Sequence, residues 1–436
     1  MTSREELKKR ACEAIDKRAE ELYEIGDAIL RRPELGFKEF ETAALVEKKF
    51  RSLGLSCQTG LAITGVKAEI PGRSARLHVS LMGELDSILI PSHPFADPQT
   101  GAAHGCGHNA SIAGMIGAGM GLIDSGVMKD LDGVVSLMAV PAEELVELEY
   151  RNRLRQEKKL VFLAGKQEFI RLGLLDSVDM VMMVHMQEAE TGKKASVGAT
   201  LNGCLAKFIR YKGKESHAGG APHFGINALN AAMLGIMGIH AQRETFRDED
   251  CIRVHPIITR GGDLVNVVPA DVRIETFVRG RTIESIQDAN RKVDRALKAG
   301  AMAIGAEVEI TNLPGYLPFL KAARLDRLFA DNFAGLFGAN AIDQAEHRTG
   351  STDLGDISHL MPTLQPFIKA GKGKLHTEGF VIEDRQLAYL ESAKGLAMTV
   401  VDLLHDGARE GLSIKEEYRA RYTKEEYLKI WERLTI

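Results

Sequence analysis

The chain has 436 residues, 44% of them hydrophobic and 27% charged, and a formal net charge of −4. That length exceeds one ordinary core and suits two domains, and the composition is that of a globular protein rather than a disordered or fibrous one. The slightly acidic balance, with Lys and Arg scattered, excludes a dominant attraction to nucleic acid or to an anionic membrane.

The segment from Arg4 to Leu55 is charged from its start and lacks the apolar core of a secretion signal. Its pattern predicts two helices joined at RRPELGF, where Pro33 and Gly36 punctuate the periodicity. GVKAEIPG and ARLHVSLMGELDS then read as strands around a Pro-Gly turn, and ASIAGMIGAGMGLIDSG as a tightly packed buried helix. GVVSLMAV and VDMVMMVH are nearly continuous apolar runs, the pattern of strands covered on both faces in an α/β domain. From Ala206 the order becomes strand (AKFIRYKGK), helix, strand (CIRVHPIITRGG), strand (DVRIETFVRG), helix, strand (EVEITNLPGY), a β-α-β-β-α-β unit of ferredoxin-like type. Further helix and a charged tail follow from Leu320. The predicted architecture is therefore a discontinuous α/β domain, residues 1–205 and 319–436, interrupted by a ferredoxin-like domain at 206–318. No apolar run reaches the roughly 20 residues of a membrane span. The five cysteines (Cys12, Cys57, Cys106, Cys204, Cys251) are odd in number, dispersed and never in a C-x-x-C pair, which predicts free thiols and a cytoplasmic protein.

Candidate chemistry begins at HGCGHN, His104 to Asn109. Glycines on both sides of Cys106 let the backbone turn tightly, so that its thiolate and the His108 imidazole can converge on one ion. A glycine-rich turn with a merely buried cysteine is the alternative. PAEE, Pro141 to Glu144, ends an apolar strand, where open α/β sheets place their ligands. Adjacent glutamates there can divide the work, one holding a metal and the other acting as general base; acid at a helix start is the alternative. His185 closes VDMVMMVH and His376 lies in LHTEGF, and either histidine alone is as readily structural. Taken in order, these motifs set five metal-capable side chains at strand ends or glycine-rich loops of one domain, enough for two ions.

Those motifs, with RRPELGFKEFETA, GELDS, ESHAGGAPHFGINAL and GGDLVNVVPADVRIETFVRGRT in the same order, resemble the M20 family of metallopeptidases and amidohydrolases, specifically its amidohydrolase subfamily. HGCGHN and STDLGDISHLMP resemble the branch containing the aminobenzoyl-glutamate hydrolase B subunit more than the mainstream branch. The resemblance implies a zinc-peptidase-like catalytic domain with an inserted dimerisation domain. It also implies two divalent ions, Mn2+ or Zn2+, on Cys106, His108, Glu144, His185 and His376. By the same resemblance Glu143 is the general base and Asp86 a supporting acid. The resemblance further implies that His217 reaches the partner subunit's site in a homodimer or higher oligomer, and that Asn266 and Arg279 bind the substrate carboxylate. The implied activity is hydrolysis of a linear amide in a small N-acyl amino acid, such as an aromatic acyl group on aspartate or glutamate. An arylamine deaminase, a dipeptidase and a catalytically silent binding homologue are the alternatives. Asn109 departs from the aspartate of many relatives, His223 receives no role, and the charged segment 145–165 reads equally as a pocket-shaping loop or a solvated helix.

Overall fold

In the computed structural model, which describes residues 2–435, the apolar runs predicted to be covered on both faces lie at the centre of a six-stranded sheet. Strands β1 (Cys57–Leu61), β2 (Gly65–Pro71), β3 (His78–Glu84), β4 (Val134–Val140) and β5 (Met180–Met182) take the order β1-β2-β4-β3-β5, with the short Thr363–Leu364 strand beyond β5. β3 runs parallel to both β4 and β5. Side chains alternate across a strand, so Leu81 and Leu137 enter one core with the helical layer, while Met82 and Met138 enter a second core on the opposite face. Both faces are thus closed, and the ends of the strands are the open edge left for chemistry.

Three helices, rather than the expected two, precede the sheet: α1 (Arg4–Asp16), α2 (Ala19–Leu30) and α3 (Phe40–Ser52). The chain bends at Arg18, whose guanidinium pairs with Glu21 and with Asp124 of α4 (His108–Asp124). The bend lets Ile15 pack at Gly121 and Leu22 at Gly117 on that same buried helix. Lys17 and Arg18 are good helix formers, so the break carries no local signal. A second difference concerns VDMVMMVH. The central strand stops at Met182, and His185 opens another strand, His185–Glu188, parallel to Phe367–Lys372 in a second sheet.

The inserted domain is a sheet of long antiparallel strands, β6 (Gly203–Lys212), β7 (Asp271–Gly280) and β8 (Glu307–Tyr316), with β6 between the other two. CIRVHPIITRGG forms two short strands on the outer side of β7, Arg253–Val254 and Ile257–Arg260, because Pro256 has no N–H to give a ladder. Helices α7 (Ala228–Ala241) and α8 (Ile283–Ile304) share one apolar core with this sheet; two short helices, α5 (Leu148–Gln156) and α6 (Gly165–Arg171), lie before it in the first segment. No helix among the described residues is long and apolar enough to cross a membrane.

Candidate metal centre and active site

β3 and β4 pair in parallel with Glu84 opposite Val140, so GELDS and PAEE leave the sheet at the same edge. HGCGHN joins them by turning at Gly107 (φ 81°), where a Cβ would stand 2.7 Å from that of Met186; a side chain there is barred by both conformation and space. Two residues of the site itself are non-glycines in the left-handed region, Ala142 at φ 57° and His376 at φ 62°. Such backbone costs about 1–3 kcal/mol and persists only where its surroundings hold it. Here the Ala142 amide donates to the buried Glu39 carboxylate (2.8 Å), and the His376 amide to the Gly105 carbonyl (2.9 Å).

The result brings all five expected ligands together. Cys106 Sγ is 3.3 Å from His185 Nε2 and 3.3 Å from His376 Nε2. Two such donors on one tetrahedral zinc would stand ~3.5 Å apart. Two overlapping groups share the thiol, Cys106–His108–His185 and Cys106–Glu144–His376, each with ligand atoms within 4.8 Å of one another. Glu144 Oε1 lies 3.1 Å from His376 Nε2, and His108 Nε2 3.1 Å from Glu84 Oε2; of these, Glu144 Oε1, His108 Nε2 and Glu84 Oε2 are buried without a hydrogen-bond partner. Buried polar atoms left without a partner among converging donors fit a cation between them, and one thiolate, three imidazoles and a carboxylate suit zinc or another divalent transition metal.

The electrostatics agree with ligation. Burial and the Glu144 carboxylate push the Cys106 thiol up, but His185 and His108 outweigh them and bring it down to about 6. Burial alone would depress His108; Glu84, Cys106 and Asp86 raise it well above the usual imidazole value. Burial opposes the Glu144 charge, and His376 overcomes it, holding this carboxyl below the ordinary range. Glu143 goes the other way: burial, then the Glu84 and Glu144 charges, raise it well above a normal carboxylate. The adjacent glutamates are therefore driven apart, one toward the anion and one toward taking a proton.

Asp86 stands behind the ligands. Its backbone carbonyl accepts from His108 Nδ1 (2.9 Å), and its Oδ2 accepts from the Glu144 amide (2.8 Å). It aims the imidazole and pins the glutamate loop, the supporting arrangement common behind metal-bound histidine. Asn109 donates to Gly26 O and Tyr389 Oη, a packing role between helices. Arg279 lines the cleft of about 460 Å³ that also contains Glu143, Glu144 and His376.

His217 and Asn266 are elsewhere. They are exposed neighbours, with the Ala218 amide bonded to Asn266 O and His217 bridged to Val267. Arg279 faces Cys204 at one end of β6, whereas Lys212 and then His217 follow its other end. Ten residues of strand span roughly 30 Å, so neither residue joins the cleft of its own chain.

Several participants went unnoticed in the sequence. Glu84, Lys166 and Asp353 are all buried, with Lys166 Nζ 2.7 Å from Glu84 Oε1 and also paired to Asp353. Only the position of Glu84 at a strand end could have marked it. Arg151, fully buried in α5, donates to Ala142 O (3.1 Å), Leu163 O (2.6 Å) and Glu144 O, while Tyr316 at the end of β8 donates to Glu143 O. The charged segment thus clamps the glutamate loop, and its Leu145 and Val146 line the cleft.

Residues 200–303 match the M20 peptidase dimerisation domain. The chain is 28% identical over 443 residues to the Xaa-Arg dipeptidase of Mus musculus, covering 97% of this chain and 94% of that one. It is 26% identical over 380 residues to the N-acetyl-L-cysteine deacetylase of Bacillus subtilis, covering 84% and 85%. A dinuclear metal-binding M20 peptidase structure from Bacillus subtilis superposes with a TM-score of 0.64 at 22% identity, covering 89% of this chain and 99% of that one. The chain thus carries an M20 peptidase dimerisation domain at residues 200–303 and is similar over most of its length to a dipeptidase and a deacetylase.

Proposed function

We propose that the protein hydrolyses the amide bond of a small N-acyl amino acid, with Cys106, His108, Glu144, His185 and His376 holding two divalent ions and Glu143 as general base. The observation that carries this reading is the split pair Glu143–Glu144 beside a thiol shared by two ligand groups. The ions, when bound, supply Lewis-acid polarisation of the scissile carbonyl and acidify water. Glu143 takes a proton from the attacking water and returns it to the leaving nitrogen. Lys166, paired with Glu84 and Asp353, keeps a positive charge beside these acids. Arg279, held by Ser351 Oγ at 3.0 Å, receives the substrate carboxylate.

His217 of a second subunit meets the developing negative charge on the carbonyl oxygen, and Asn266 arrives with it. Its Nδ1 is occupied by the Gly219 and Gly220 amides (3.2 and 2.9 Å), which fixes the proton on Nε2, free to donate outward. The similarity to the mouse Xaa-Arg dipeptidase favours a second reading, a dipeptide substrate; released products separate the two.

The test is Glu143→Gln. The variant should keep its metal content, measured by plasma emission spectrometry, and lose turnover of N-acyl amino acids by about 10²-fold or more. Near-normal turnover in the metal-loaded variant would remove Glu143 from the reaction.

A further inference from the structure

Arg348 is a second cation in the cleft, and it has no acidic partner among the described residues. It lies in the short strand His347–Arg348, beside Thr200–Leu201. Its guanidinium donates to two neutral oxygens, Gln187 Oε1 at 2.9 Å and Ser196 Oγ at 3.1 Å, and stacks 4.2 Å from the centre of the Phe367 ring. Glu188 is the nearby acid, but it accepts from the Leu375 amide and lies 3.8 Å from Lys374 instead. Burial lowers Arg348 below the usual guanidinium range, with Glu188 offsetting this in part. A half-buried cation satisfied only by neutral groups gains most when an anion arrives from outside.

Its position says which part of a substrate brings that anion. Phe367 lies edge-on to His185, with ring centroids 5.7 Å apart, so Arg348 stands one ring behind the metal-ligand cluster. Arg279 reaches Ser351, only three residues along the chain from Arg348 and at most ~10 Å away even if extended. Arg279, Arg348, Gly350 and Ser351 all line the cleft, which puts the two cations on one wall, facing the same half of a bound molecule. Among the described residues, the carboxylates lining the cleft are Glu143 and Glu144, both engaged at the centre.

We propose that Arg348 forms a second anion subsite, which selects N-acyl amino acids whose side chain carries a carboxylate, glutamate or aspartate, over neutral and basic ones. The inference rests on the proposed amidohydrolase reading, in which Arg279 takes the α-carboxylate. A basic side chain placed on this wall would face like charge without compensation, which opposes an Xaa-Arg type of substrate here.

The experiment compares kcat/KM for N-acetylglutamate, N-acetylglutamine and N-acetylarginine with metal-loaded enzyme, in wild type, Arg348→Met and Arg348→Lys. Glutamate should exceed its near-isosteric amide by at least about tenfold in wild type. That ratio should collapse in Arg348→Met, which retains an unbranched side chain over Phe367, and return in part in Arg348→Lys. A ratio near unity in wild type, or one unchanged by Arg348→Met, overturns the subsite while leaving amide hydrolysis intact. If no N-acyl amino acid is turned over, the amidohydrolase reading fails instead. Calorimetric binding of glutarate against butyrate to metal-loaded enzyme then decides the subsite: a glutarate preference lost in Arg348→Met supports it, and no preference refutes it.

Discussion

Arg151 and His359 are buried ionisable side chains answered almost wholly by backbone carbonyls. Arg151 ties three carbonyls around Glu143 and Glu144, so Arg151→Met should act on both stability and turnover. Leaving buried acceptors unpaired costs about 1–3 kcal/mol each, and a loosened glutamate loop should lower kcat more than it raises KM. Chemical denaturation and steady-state kinetics test this; a variant with wild-type kcat would show that the clamp is only structural. His359 donates from Nε2 to Pro318 O (2.9 Å) and stacks on Tyr422 with ring centroids 5.5 Å apart. Burial lowers it to about 4. Because the fold refuses this proton, the contribution is complete above about pH 6.5 and shrinks as pH falls toward 4, by about 1.4 kcal/mol per unit. His359→Gln should therefore flatten the acid limb of Tm against pH between 6.5 and 4.5. An unchanged slope would assign that limb to other groups.

Among the elements, the carboxy-terminal helix Lys424–Leu434 shows how a tail becomes part of the fold. Its Thr423 cap satisfies the first turn, and Tyr427 and Trp431 point inward to donate to Asp356 Oδ1 at 2.9 and 3.0 Å. Gln167 of α6 donates to the same oxygen (3.2 Å), so one carboxyl joins the tail to the helix that also carries Lys166. Asp356→Ala strands these buried donors and should cost on the order of 3 kcal/mol. It should also expose the tail to limited proteolysis, whereas Asp356→Asn keeps an acceptor and most of the stability. Equal protease resistance of Asp356→Ala and wild type would separate the tail from Asp356.

For the whole molecule, the distance along β6 is decisive. His217 and Asn266 lie at the far end of the inserted domain from Arg279, so a complete site requires two chains under the proposed mechanism. The inserted domain also leaves Met233 and Met237 of α7 and Ile257 and Ile258 of the adjoining edge strand between 41% and 66% exposed, an apolar face suited to self-association. Mixing the inactive variants His217→Ala and Glu143→Gln under subunit exchange should restore about a quarter of wild-type activity, since half the dimers are mixed and each holds one intact site. No recovery from dimers shown to be mixed would refute the shared site.

Chain order alone carried the α/β sheet, the interposed β-α-β-β-α-β unit and the five candidate ligands, because strand periodicity, glycine turns and metal-capable residue types are local properties. Glu143 and Glu144 were legible as a pair for the same reason. Their division into an acid-favouring and an anion-favouring carboxyl was implied by resemblance, and its physical cause lies in which charges surround each. The bend at Arg18, the passage of His185 into a second sheet, and the burial of Lys166, Arg151 and Arg348 depend on partners far along the chain. Arg151 sits in a run of charges that looks solvated, and Arg348 in a segment with no motif of its own. Only tertiary structure decides such residues, since the energy of a charge is set by what closes around it rather than by its neighbours in sequence. So the candidate catalytic elements could be named from Cys106 to His376, while the wall proposed to read the substrate appeared only when the fold set Arg279 and Arg348 in one cleft.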